Sequence, residues 1–67
     1  MRFRGTLYHG ADECWTMDSD DALKLLMASN DAMARERQGR KGACDGGTIL
    51  RDGVATLTLV NEHWVHA

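Results

Sequence analysis

Thr48-Ile49-Leu50-Arg51-Asp52-Gly53-Val54-Ala55-Thr56-Leu57-Thr58-Leu59-Val60 is the stretch that decides the fold. Its two halves are rich in β-branched residues, and Asp52-Gly53 between them is a strong signal for a two-residue hairpin turn. Thr48 to Arg51 reads as one strand. In the other, Val54 to Val60, a period of two turns Ala55, Leu57 and Leu59 inward and Thr56 and Thr58 outward. A sheet with one apolar face needs a second layer to cover it. Toward the C-terminus, Asn61-Glu62 turns the chain into a last strand, His63 to His66. Its free edge is compatible with a monomer or a dimer.

The covering layer lies upstream. Gly39 to Gly47 holds four of the chain's seven glycines and reads as a loop. Before it, the periodicity is helical. Asp18 and Ser19 are N-cap residue types, and Asp20 and Asp21 bring negative charge to a first turn, where the helix dipole favours it. A helix is therefore expected from about Ser19 to Arg37. Ala22, Leu23, Leu26 and Met33, with their neighbours Leu25 and Met27, share a wide apolar sector opposite Lys24, Asp31 and Arg35. Gly39 is a natural C′ stop. Further upstream, Phe3, Gly5 and Leu7 alternate with Arg2, Arg4, Thr6 and Tyr8 as a first strand. His9-Gly10-Ala11-Asp12 is a turn, and Glu13 to Met17 is a second strand, with Trp15 and Met17 on one face and Cys14 and Thr16 on the other. The order is ββαβββ. This is an α+β fold, one domain over residues 1–67, with a single helix on a mostly antiparallel sheet of about five strands. Phe3, Leu7, Trp15, Leu23, Leu26, Met33, Leu57 and Leu59 are its expected core.

With 67 residues, a chain buries only about 60% of the surface its unfolded form exposes. Such a core is too small for a cofactor pocket of the usual size, about 300–1,000 Å³. That argues against a self-sufficient metabolic enzyme. The apolar fraction of 43% and charged fraction of 27% are those of a folded domain. No segment approaches the ~18 apolar residues of a membrane span. Met1-Arg2-Phe3-Arg4-Gly5 has no apolar run behind its charges, so no signal peptide is expected there. The expected compartment is the cytoplasm, with both thiols reduced.

His9, Cys14, Cys44, His63 and His66 are all metal-ligand types, but no Cys-x-x-Cys pair exists, and His63 and His66, three apart on a strand, point to opposite faces. No metal or other cofactor is expected, and the fold should need neither metal nor disulfide. Cys44, in a glycine-rich loop beside Asp45, has nothing to fix a histidine next to it and a neighbouring charge that raises its pKa. The glycines at 42, 46 and 47 are not followed by the Gly-Lys-Ser/Thr of a phosphate loop. No catalytic residue is expected, and the protein should act by binding.

Charge is unevenly placed along the chain. Asp12, Glu13, Asp18, Asp20 and Asp21 form an acidic run, and Arg35, Arg37, Arg40 and Lys41 a basic one broken only by Glu36. The net charge of −2 gives no global positive field. The acids can serve solubility and helix capping, or form a surface that imitates a nucleic-acid backbone. The bases can be solvated residues at a helix C-terminus, or a patch for phosphates or an acidic partner.

The layout as a whole resembles the small phage-encoded anti-CRISPR proteins, in particular an inhibitor of type I-F systems with similar length and the same ββαβββ order. The matching segments are Gly47-Thr48-Ile49-Leu50-Arg51 at the third strand, Trp64-Val65 near the C-terminus and, more loosely, Ser19-Asp20-Asp21-Ala22-Leu23-Lys24 at the helix start. The resemblance implies a stoichiometric inhibitor, in the cytoplasm of a bacterial host, that binds a subunit of the crRNA-guided surveillance complex and blocks access of target DNA. By position, Lys24, Arg35, Arg37, Arg40 and Lys41 would make the partner contacts, with weak nucleic-acid contact as an accessory. The longer glycine-rich loop and the acidic run depart from the family pattern, and they leave open which charged face works. The alternative function is a small regulatory protein that binds nucleic acid directly.

Overall fold

The computed structural model describes residues 2–67. The chain runs β1 (Phe3–His9), β2 (Asp12–Ser19), α1 (Ala22–Arg37), β3 (Gly46–Arg51), β4 (Val54–Val60) and β5 (His63–His66). The strands form one antiparallel sheet in the order β2-β1-β3-β4-β5. This is the α+β, ββαβββ arrangement that the sequence implies. The helix carries the chain from the β2 edge across β1 to β3, and it lies over β1 and β2. Two short turns use left-handed residues, Asp52-Gly53 (φ 51 and 84) and Asn61-Glu62 (φ 51 and 64), a conformation matched to the twist of a tight hairpin.

The helix begins later than its sequence suggests. Ser19 belongs to β2, where it pairs with Phe3. The N-cap is Asp21, extended at φ −115 and ψ 112, whose carboxylate accepts from the backbone N–H of Leu23 (2.9 Å) and Lys24 (3.3 Å). Asp20 and Asp21 therefore precede the first turn, which holds no acid. At the other end Gln38 is the C-cap in right-handed helical conformation, and the left-handed residue comes at Gly42.

The buried stripe is also rotated from the expected one. Leu25, Ser29, Ala32 and Met33 are buried, whereas Leu23 and Met27 are 65% and 60% exposed and Leu26 is only half-buried. Small residues set this angle. Gly5 on β1 carries no side chain under Leu25, and a Cβ there would stand 3.2 Å from Leu25 Cδ1 and from Trp15 Cζ3. The helix settles into that gap, and Leu7, Ile49, Leu59 and Cys44 complete the buried set. Phe3, Trp15 and Leu57 are half-buried. Trp64 closes the core from β5, packing on the cluster of Leu7, Ala32, Met33, Cys44 and Leu59.

Two bulges correct the strand faces. Leu7 pairs with Trp15 but Tyr8 pairs with Glu13, so Cys14 is the extra residue. Its side chain joins the inner cluster instead of sharing the outer face with Thr16. Ile49 pairs with Leu57 but Leu50 with Ala55, so Ala55 falls on the outer face and is exposed. A bulge resets the alternation that a strict period of two assumes. The outer face otherwise carries Thr16, Thr6, Thr48 and Thr58 abreast across four strands.

Candidate functional site

The basic and acidic runs, separate along the chain, touch in space at one ion pair and otherwise find partners elsewhere in the fold. Arg37 donates through Nε to Glu62 Oε2 (2.9 Å), and Lys41 Nζ lies 3.3 Å from Asp12 Oδ2. Arg4 holds Asp18 with Nε–Oδ1 at 2.7 Å and Nη2–Oδ2 at 3.1 Å. That hydrogen-bonded pair lowers the Asp18 pKa and raises that of Arg4. Asp20 accepts the Arg2 N–H (3.1 Å), and Asp21 caps the helix. Four of the five acids in the run from Asp12 to Asp21 thus serve the fold itself. Of the five bases expected to contact a partner, Lys24, Arg35 and Arg40 have no ion pair among the described residues, whereas Arg37 and Lys41 do.

Two of these unpaired bases, Lys24 and Arg35, share a helix side with exposed apolar groups. Leu23, Lys24, Met27, Asp31 and Arg35 share the side of α1 that faces away from the sheet, with Lys24 and Arg35 about three turns apart. Arg40 follows in the loop after the helix. No helix of the described residues is long and apolar enough to cross a membrane.

A second constellation is formed only by folding. A ring nitrogen of His9 and the sulfurs of Cys14 and Cys44 all lie within 4.8 Å of one another. His9 ends β1, Cys14 is turned inward by the β2 bulge, and Cys44 comes from the loop before β3. That loop is anchored at its end. Asp45 donates its N–H to Tyr8 O (3.1 Å), and its carboxylate accepts the Gly10 N–H (2.8 Å). Cys44 is therefore buried and fixed, and a histidine stands beside it, contrary to what the glycine-rich sequence suggests. The Cys14 and Cys44 sulfurs are 3.9 Å apart, and His9 Nε2 is 3.2 Å from Glu36 Oε1 on the last turn of α1.

Burial is the main cause that pushes the Cys14 thiol up to about 12, aided by Cys44 and Glu36. Cys44 is raised too, again mainly by burial, with the Asp45 charge a smaller contribution. Both sulfurs are thus neutral thiols at physiological pH in the metal-free protein, which makes them poor nucleophiles. Motif spacing misses this cluster because its members are 5 and 30 residues apart in sequence, and strand pairing, not local helical or loop geometry, brings them together. The one local signal was a histidine and a cysteine on either side of a tight turn.

Compared with known proteins, the chain matches no family model, no curated protein and no solved structure.

Proposed function

We propose that this protein is a non-catalytic binding protein whose working surface is the outward side of α1 and the basic loop that follows it. The observation that carries the reading is the pairing pattern. Lys24, Arg35 and Arg40 have no ion-pair partner among the described residues, and Lys24 and Arg35 share the outward side of α1 with the exposed Leu23 and Met27 while Arg40 follows in the next loop. Four of the five acids of the acidic run, by contrast, are engaged in ion pairs, a backbone hydrogen bond and capping within the fold. Apolar groups rimmed by cations suit a partner surface that offers both a hydrophobic seat and negative charge. The resemblance to type I anti-CRISPR proteins names such a partner, the crRNA-guided surveillance complex of a bacterial host, whose guide RNA brings phosphate charge together with protein. Occupying that surface reduces capture of target DNA with no chemical step. Direct nucleic-acid binding without a protein partner is the weaker reading, because the four bases unpaired among the described residues, Lys24, Arg35, Arg40 and Arg51, give little counterion release on a chain of net charge −2.

The test is a binding assay with a purified type I complex, its guide RNA and labelled target DNA. The parent protein should suppress target capture at near-stoichiometric ratio. Charge reversal at Lys24, Arg35 and Arg40 together should abolish suppression with the circular-dichroism spectrum unchanged, and Leu23→Ala with Met27→Ala should weaken it. Reversal of Asp12, Glu13 and Asp20 should do little. No suppression by the parent at several-fold molar excess over any type I complex overturns the proposal. Loss through the acidic reversal alone moves the working face to the acids.

A further inference from the structure

The gathering of His9, Cys14 and Cys44 has a chemical meaning that does not depend on any partner. From it we infer that this protein binds one zinc ion, held by the Cys14 and Cys44 sulfurs and the His9 imidazole, with Glu36 orienting the imidazole from outside.

Three features carry the inference. The donor set is the first. Two thiolates and an imidazole are soft or borderline ligands that select zinc over the hard cations, which prefer carboxylate and carbonyl oxygen. The spacing is the second. A tetrahedral ion with Zn–S bonds of about 2.3 Å sets its two sulfurs about 3.8 Å apart, and Cys14 and Cys44 are separated by 3.9 Å. The same separation accommodates a thiol–thiol hydrogen bond in the metal-free form. It is nearly twice the S–S length of a disulfide, about 2.05 Å. The third feature is the surrounding structure. The Cys44 and His9 side chains are almost wholly enclosed, at 4% and 9% exposure. Glu36 Oε1 at 3.2 Å from His9 Nε2 supplies the outer carboxylate that metal-bound histidines commonly have. The bulge that places Cys14 inward and the anchored loop that places Cys44 both serve this convergence.

Binding replaces the two thiol protons, which leave to solvent, with two Zn–S bonds, so zinc affinity rises with pH. Bound zinc ties the β1–β2 turn and the loop after α1 to one point. It would hold Arg40 and Lys41 in a fixed relation to the helix. With three protein ligands, one coordination position remains for water or for movement of Glu36.

The experiment titrates the reduced, metal-free full chain with Zn(II) against a chromogenic chelator, and separately with Co(II) under visible and near-ultraviolet absorption. The expected result is one zinc per chain, a thiolate-to-cobalt charge-transfer band and the strong visible bands of four-coordinate cobalt. Cys14→Ser and Cys44→Ser should each lose the charge-transfer intensity in part, and the double variant entirely. His9→Gln should lower zinc affinity by more than the 10–100-fold, roughly, of an outer-shell change, and Glu36→Gln should fall within about that range while keeping the cobalt spectrum. Zinc should raise the melting temperature of the parent but not of the double cysteine variant. The wild-type cobalt spectrum decides even if a variant fails to fold. No charge-transfer band from the reduced parent protein overturns the inference. So does a band that persists in the double cysteine variant, or a pair that only forms a disulfide, seen by mass as the loss of two hydrogens, and takes up no metal when reduced.

Discussion

Ser29 is fully buried in the middle of α1. Its hydroxyl donates to Leu26 O at 2.7 Å and accepts the indole N–H of Trp64 at 3.2 Å. One small side chain thereby links the helix to the last strand, at the opposite edge of the sheet from the strands beneath the helix. Ser29→Ala would leave the Trp64 N–H without its partner, and removing one member of a buried hydrogen bond costs about 1–3 kcal/mol. Urea denaturation should show a loss of that size. Trp64→Phe should then cost less in the Ser29→Ala background than in the parent, the signature of a coupled pair; equal costs would show that the bond contributes nothing. The sequence does not reveal this role, because a serine in a helix can satisfy its hydroxyl on a preceding carbonyl whichever way it faces. Gly47 is equally mute in sequence. It sits where a Cβ would come within 3.1 Å of both Leu7 Cδ2 and Trp64 Cη2.

The helix shows what local pattern can and cannot specify. Leu23, Leu25, Leu26 and Met27 surround most of the first two turns with apolar side chains, so periodicity alone leaves the angle of the buried stripe undetermined. Packing fixes it through Gly5, which admits Leu25, and through Ser29 and Ala32, small enough to bring the helix close to the sheet. Leu25→Ala should therefore cost about 2–5 kcal/mol, whereas Leu23→Ala should stay within about 0.5 kcal/mol, as for an exposed site. Thermal melts of the two variants check this, and a Leu23 loss as large as that of Leu25 would put the stripe where the sequence pattern had it. The strands were legible for the complementary reason. Asp52-Gly53 and Asn61-Glu62 are turn signals with a local cause, so element order and pairing of β3, β4 and β5 follow from residues adjacent in sequence. Bulges have no such signal here. Residues 14 and 56 read as ordinary strand positions, and each bulge shifts a face, moving Cys14 inward and Ala55 outward. The metal-ligand cluster was hidden by the first of these shifts.

At the scale of the whole molecule, electrostatics in the fold and electrostatics in binding separate. Four ion pairs, Arg2–Asp52, Arg4–Asp18, Arg37–Glu62 and Lys41–Asp12, join side chains that are all at least 30% exposed. Exposed pairs contribute little net stability, since solvent screens them and long side chains lose freedom. One of them, Lys41–Asp12, joins the basic run to the acidic one, and among the described residues Lys24, Arg35, Arg40 and Arg51 are left without ion pairs, the first three on α1 and the loop that follows it. Salt should act on these two groups differently. At 1 M the Debye length falls to about 3 Å, yet the melting temperature should move by less than the roughly 4–8 °C that 1 kcal/mol is worth in a domain of this size. Association with a negatively charged partner should slow steeply over the same range. Acid supplies the arm with a sign. The Asp18 carboxyl is held below its ordinary value of 3.8 by its hydrogen bonds from Arg4. A carboxylate with a depressed folded-state pKa favours the fold above its unfolded value, and that contribution disappears as pH falls through the folded one. Asp18→Asn removes the titrating group. Its melting temperature should thus decline less steeply than the parent's as pH is lowered below about 4, near the ordinary aspartate pKa, with the two curves running parallel at neutral pH. An Asp18→Asn curve that falls as steeply as the parent's would mean that other carboxylates govern acid unfolding and that the Arg4–Asp18 pair has no thermodynamic weight.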